Sequence, residues 1–116
     1  MRIIFTIFLF ISFDAQSDVF IIPPSDNAQE RIQEALILAQ PGDEIHLISG
    51  VYKIEDGLSL DVDNILFSGE GHDKTILDFT DQMTGAQGLL VTSNEVMLKD
   101  FAIINTKGDG IKTIGS

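Results

Sequence analysis

The groups in this sequence able to hold a metal ion or move a proton are few and scattered. Asp61 and Asp63 stand two apart and offer oxygens of the kind calcium prefers. Calcium takes about six to eight oxygens, more than one strand end supplies, and Asp61-Val62-Asp63-Asn64 equally makes a turn. Asp78 and Asp100 each follow a short apolar run, at the solvent edge of a strand. A carboxylate pair there needs a substrate cleft to serve as general acid and base. His46 lies between Ile45 and Leu47, so alternation turns it outward, while His72 lies in the turn Gly69-Glu70-Gly71-His72. Two histidines on separate segments with no third ligand do not make a metal site. No catalytic, cofactor-binding or metal-binding residue is assigned from these groups.

The elements that must carry them are of two kinds. One segment has helical periodicity: Ala28, Ile32, Ala35, Leu36 and Ala39 recur at spacings of three and four and share a face. Glu30, Arg31, Gln33 and Glu34 occupy the other. Ser25 or Asp26 supplies a cap, with Gln29 three residues after Asp26, and Pro41-Gly42 ends the run. A capping helix is therefore expected within residues 25–41, after an extended linker at 18–24 that holds Pro23-Pro24. Beyond Gly42 the period becomes two. Ile45-His46-Leu47, Leu58-Ser59-Leu60, Ile65-Leu66-Phe67, Val96-Met97-Leu98 and Phe101-Ala102-Ile103 are short strands separated by Gly, Asp, Asn or Ser.

The chain opens on Met1-Arg2 and the apolar run Ile3–Ile11, then turns polar at Ala15-Gln16-Ser17. The run is about half the roughly 20 residues a membrane span requires, and small residues precede Asp18. Residues 1–17 are expected to be a signal peptide cut after Ser17, which makes the product secreted or periplasmic. Cleavage would remove Arg2 and Asp14, leaving 99 residues and an unchanged net charge of −11. Such an acidic balance argues against nucleic acid and anionic lipid as partners, both of which call for Lys and Arg. No membrane insertion is expected after cleavage. The sequence has no cysteine, so burial and backbone pairing must hold the fold.

Self-similarity decides the architecture. Gly57-Leu58-Ser59-Leu60, Gly88-Leu89-Leu90-Val91 and Gly110-Ile111-Lys112-Thr113 open in the same way. Ile65 and Phe67 follow Gly57 at the same offsets as Val96 and Leu98 follow Gly88. Insertions confined to turns are what stacked repeats tolerate. Each strand has one apolar face too small to bury alone, and stacking equivalent strands in parallel buries it. Three interior columns are expected: Ile45, Ile65 and Val96; Leu47, Phe67 and Leu98; Leu58, Leu89 and Ile111. The helix is the lid on the first coil, where an open edge would invite pairing. A β-sandwich also suits strands at this spacing, but the matched offsets favour a solenoid. The fold class is thus all-β, a right-handed parallel β-helix over residues 42–116. About three coils are present, and the solenoid is expected to continue past Ser116.

The stretch Ile32-Gln33-Glu34-Ala35-Leu36 through Ala39-Gln40-Pro41-Gly42-Asp43 to Leu47, Gly50 and Tyr52 resembles the opening of pectin-lyase-like β-helix proteins. Gly69-Glu70-Gly71, Lys74-Thr75-Ile76-Leu77 and Gly108-Asp109-Gly110-Ile111 resemble the coils that follow there. The resemblance implies an exported protein acting on or binding acidic polysaccharide, with its active site in downstream coils. A non-catalytic surface or periplasmic scaffold is the alternative. It further implies a monomer at full length, with calcium the one cofactor left open for the longer protein. Asn105-Thr106-Lys107-Gly108-Asp109-Gly110 is similar to a polygalacturonase turn, but Lys107 stands where that family has Asp. Asp and Gly before a strand are ordinary turn formers. Uronan elimination must neutralise the substrate carboxylate and abstract the neighbouring proton, usually with Arg, Lys or calcium. After cleavage the only Arg is Arg31, on the helix and away from the coils, so these coils are expected to lack the arginine of a lyase.

Overall fold

The computed structural model describes residues 17–83 and 87–114. The expected signal peptide, apart from Ser17, lies outside them. Ten strands and one helix follow in the order β1 (Val19–Ile22), α1 (Ala28–Leu38), β2 (Glu44–Leu47), β3 (Gly50–Lys53), β4 (Leu58–Leu60), β5 (Leu66–Ser68), β6 (Thr75–Asp78), β7 (Leu89–Val91), β8 (Met97–Lys99), β9 (Ala102–Ile104) and β10 (Ile111–Thr113). They form three all-parallel sheets, β1-β2-β5-β8, β3-β6-β9 and β4-β7-β10. From β2 onward each strand pairs with the one three places later. The described residues are mostly β, with one short helix and no closed barrel among them.

Alternation sets what each strand buries. Ile45 and Leu47, Leu58 and Leu60, and Leu89 and Val91 point inward and join Tyr52, Phe67, Leu77 and Phe79 in one core. Leu58, Leu89 and Ile111 pair in the expected register, and so do Phe67 and Leu98. Ile111, however, is 44% exposed and not interior, because the outer side of β10 has no further strand against it among the described residues. The first coil differs: Ile45, not Leu47, faces Phe67. A two-residue slip keeps every apolar side chain on its face, so hydrophobic pattern alone does not detect it. The Phe67 and Phe101 rings lie 5.2 Å apart at 39°.

Two expectations about the N-terminal region need correcting. Residues 18–24 are not simply a linker, because β1 pairs in parallel with β2. The helix begins at Ala28, with Asn27 and not Ser25 or Asp26 at its cap. No side-chain cap bond forms there, because the Asn27 Oδ1 accepts from the Ser25 hydroxyl at 2.7 Å. Ala28, Ile32, Ala35, Leu36 and Ala39 are all buried, and α1 packs on β1, β3 and β4.

Glycines and left-handed residues explain the turns. Gly42, Asn64 and Glu95 recur at successive turns with φ of 98°, 59° and 58°. Their backbones are linked: the Gly42 N–H donates to the Asn64 carbonyl at 2.7 Å, and the Asn64 N–H donates to the Asn94 carbonyl at 3.0 Å. Gly88 is needed for closeness, since a Cβ there would lie 2.6 Å from the Gly110 carbonyl oxygen.

Candidate functional site

The densest group of polar side chains on an outer face lies across β2 and β5. Register places His46 beside Ser68, and Ser68 beside Lys99 of β8. His46 Nδ1 is 3.0 Å from the Ser68 Oγ, and Nε2 is 3.1 Å from Glu70 Oε2. The Ser68 hydroxyl donates to Glu44 Oε2 at 3.0 Å. Glu70 Oε1 accepts from the Ser49 hydroxyl at 2.6 Å and from the Ser49 N–H at 2.9 Å. The Ser49 hydroxyl above all, then the His46 contact and the Ser49 N–H, hold the Glu70 carboxyl down at about 2.

Histidine, serine and carboxylate are the components of a nucleophilic relay, so their proton inventory matters. Ser68 has one hydroxyl proton, and it goes to Glu44. Ser68 is also only 2% exposed, out of reach of a substrate. Glu70, ionised, can only accept, so His46 Nε2–H donates to it. Both ring nitrogens of His46 are engaged within the cluster, and Ser68 is buried away from any substrate. The cluster is a cross-strand tie.

Of the other groups singled out in the sequence, Asp61, Asp63 and Asp78 are held in turns by hydrogen bonds. Asp61 accepts from the Thr92 hydroxyl at 2.7 Å and Asp63 from the Asn94 N–H at 2.8 Å, each 31 residues on. They brace the next turn and do not converge on each other's ligands. Asp78 Oδ1 accepts from the Thr80 hydroxyl at 2.6 Å, the Thr80 N–H at 3.0 Å and the Asn105 amide at 3.2 Å. The Thr80 hydroxyl bond leads the causes that lower the Asp78 pKa. Asp100 is exposed at φ 65°, and its carbonyl accepts from Gly71. His72 is exposed in its turn, and Arg31 is exposed on α1.

In the stretch Asn105–Gly110, the Thr106 hydroxyl donates to the Gly108 carbonyl, and the Lys107 N–H to Gln82 Oε1. The Asp109 and Gly110 carbonyls accept from the Gly88 and Leu89 N–H groups. These bonds build a turn. Among the described residues no three His, Asp or Glu gather for a metal ion, and no helix is long and apolar enough to cross a membrane.

Sequence reasoning missed Ser49 altogether and saw Glu70 only as a turn residue. The signal was the spacing of 22 between His46 and Ser68, which becomes legible once the first-coil register is set. Comparison of the chain with protein-family models, with curated proteins and with solved structures found no match.

Proposed function

We propose that this chain is part of an exported, right-handed parallel β-helix of the pectin-lyase-like kind. We further propose that its described coils bind or support polysaccharide without reacting with it. What supports the β-helix reading is the pairing rule, in which β2-β5-β8, β3-β6-β9 and β4-β7-β10 each join strands three places apart. One circuit then passes through each sheet once before the chain climbs one strand. Outward side chains recur along each sheet at about 4.8 Å, a periodic surface suited to a ligand that is itself a repeating chain.

The single observation that carries the non-catalytic reading is the burial of Ser68, 2% exposed, with its hydroxyl donating to Glu44. A nucleophile has to meet its substrate in a cleft, with its proton directed to a base. Affinity electrophoresis of the exported protein, in gels holding pectate, alginate or a neutral glucan, tests binding. Ultraviolet absorbance of the same sugars in solution tests elimination. Retardation without new absorbance is expected. Absorbance from an unsaturated uronate would instead place the protein among the lyases.

A further inference from the structure

Asp43 is a nearly buried carboxylate, 5% exposed, at the turn between α1 and β2. Its Oδ2 accepts the Gln40 N–H at 2.8 Å, and its Oδ1 accepts the backbone N–H of Asp18 at 2.9 Å. Asp18 is the residue before β1, and its carbonyl accepts from the Glu44 N–H at 2.9 Å. One side chain thus ties the beginning of β1 to the end of the helix. The recess around this contact, about 370 Å³, is lined by four acidic residues, Asp18, Asp43, Glu44 and Glu95. No Lys, Arg or His lines it. The recess therefore presents negative charge, and Asp43 Oδ1 stands at hydrogen-bond distance from the Asp18 nitrogen.

We propose that the Ser17–Asp18 bond is a processing site, and that the α-ammonium freed there pairs with Asp43 and locks β1 onto β2. The inference rests on the exported reading above. An export peptidase hydrolyses the bond before the chain folds. The amide C–N bond breaks, the hydroxyl of water completes the Ser17 carboxylate, and the proton passes to the Asp18 nitrogen. That nitrogen, an ammonium at neutral pH, folds into the position the amide holds at 2.9 Å from Asp43 Oδ1. The charged groups facing it are the Asp43 and Glu44 carboxylates, that of Asp18 itself, and Glu95 from the turn before β8. All favour the cation. Cutting one residue earlier or later would leave an amide there, or nothing.

The test begins with mass spectrometry of the exported protein, for which Asp18 is the expected first residue. The α-amine is then acylated at neutral pH in folded and in denatured protein and read by peptide mapping. Pairing that raises the amine pKa by one unit leaves about a tenth of the free base, so labelling should slow about tenfold on folding. In Asp43→Asn, which removes the one carboxylate bonded to the amine, the protection should fall to a few-fold or less. Should that variant not fold, an alanine inserted between Ser17 and Asp18 gives a second route. Its product keeps the amide at Asp18, carries its amine one residue outside the recess, and should label equally fast folded and denatured.

A product that keeps Met1 overturns both the exported reading and the lock. An exported product that begins elsewhere overturns the lock alone. Equal labelling rates in folded and denatured wild-type protein also overturn it.

Discussion

Gln33 of α1 and Ser59 of β4 exchange two hydrogen bonds: the Ser59 N–H donates to Gln33 Oε1 at 3.0 Å, and Gln33 Nε2 donates to the Ser59 carbonyl at 3.1 Å. A side-chain amide thereby occupies the place of a neighbouring strand. One turn earlier, Gln29 Oε1 accepts from the Glu55 and Asp56 N–H groups at 3.1 and 3.0 Å. An i, i+4 pair of glutamines closes the edge that β4 would otherwise present to another chain. Replacing Gln33 by Ala removes two partly solvated bonds, a loss of about 1–2 kcal/mol. It should also raise association. Glu34→Ala, on the exposed side of the same turn, should leave both properties nearly unchanged. Denaturant melting and light scattering of the two variants check this, and equal behaviour would refute edge closure by Gln33.

The left-handed turn column makes a prediction of opposite sign. Glu95 holds φ at 58°, where Gly42 in the same column fits without strain. A non-glycine residue there costs about 1–2 kcal/mol, while a new glycine costs about 0.4–1 through the freer unfolded chain. The first term is larger, so Glu95→Gly should stabilise by up to about 1 kcal/mol. Gly88→Ala should destabilise by about 1–3 kcal/mol, because its Cβ meets the Gly110 carbonyl oxygen at 2.6 Å. Thermal melting of both variants reads the two signs.

What was legible in the sequence was what periodicity encodes. Leu58, Leu89 and Ile111 stack at equivalent positions after Gly57, Gly88 and Gly110, and at Gly88 a Cβ would meet the next coil. Ile45 was placed beside Ile65 because the first coil has no such glycine from which to count. The β1 segment reads as linker because the helix separates it from the repeats it joins. Gln33 was placed on the solvent side of α1. Periodicity identifies the apolar face, but whether a flanking amide reaches a strand edge depends on how the helix is rotated over it. The tie through His46, Ser68 and Glu70 likewise needs the register between strands, which alternation leaves free by two residues.

The strand faces themselves are open to test in β8. Met97 is 59% exposed, whereas Leu98 stands beside Phe67 and packs partly buried against the core. Leu98→Asp puts a carboxylate among Phe67 and its neighbours and should cost about 1–3 kcal/mol. Met97→Asp should stay within about 0.5 kcal/mol of wild type. Chemical denaturation of both proteins decides it. A larger loss at Met97 would mean that the faces of β8 are inverted.

Acid should loosen the tie on the outer face before it acts on the core. Glu70 binds its proton less readily in the folded chain, its pKa falling from 4.5 to about 2 under the Ser49 and His46 bonds. Asp78 moves in the same direction under the Thr80 hydroxyl. A carboxyl with a depressed folded pKa takes up its proton preferentially in the unfolded chain, so falling pH favours unfolding. The stability it contributes is complete above the unfolded value of 4.5 and is lost progressively as pH drops towards about 2. Because Glu70 is exposed, salt should weaken the effect. In Glu70→Gln the amide oxygen can still accept from Ser49, but the group no longer titrates. Its melting temperature should lie below that of the wild type at neutral pH and fall less steeply through the acid range. Melting curves of both proteins at successive pH values, at low and high salt, provide the comparison. Parallel acid limbs would show that Glu70 carries no linked proton and that the acid sensitivity of the fold comes from elsewhere.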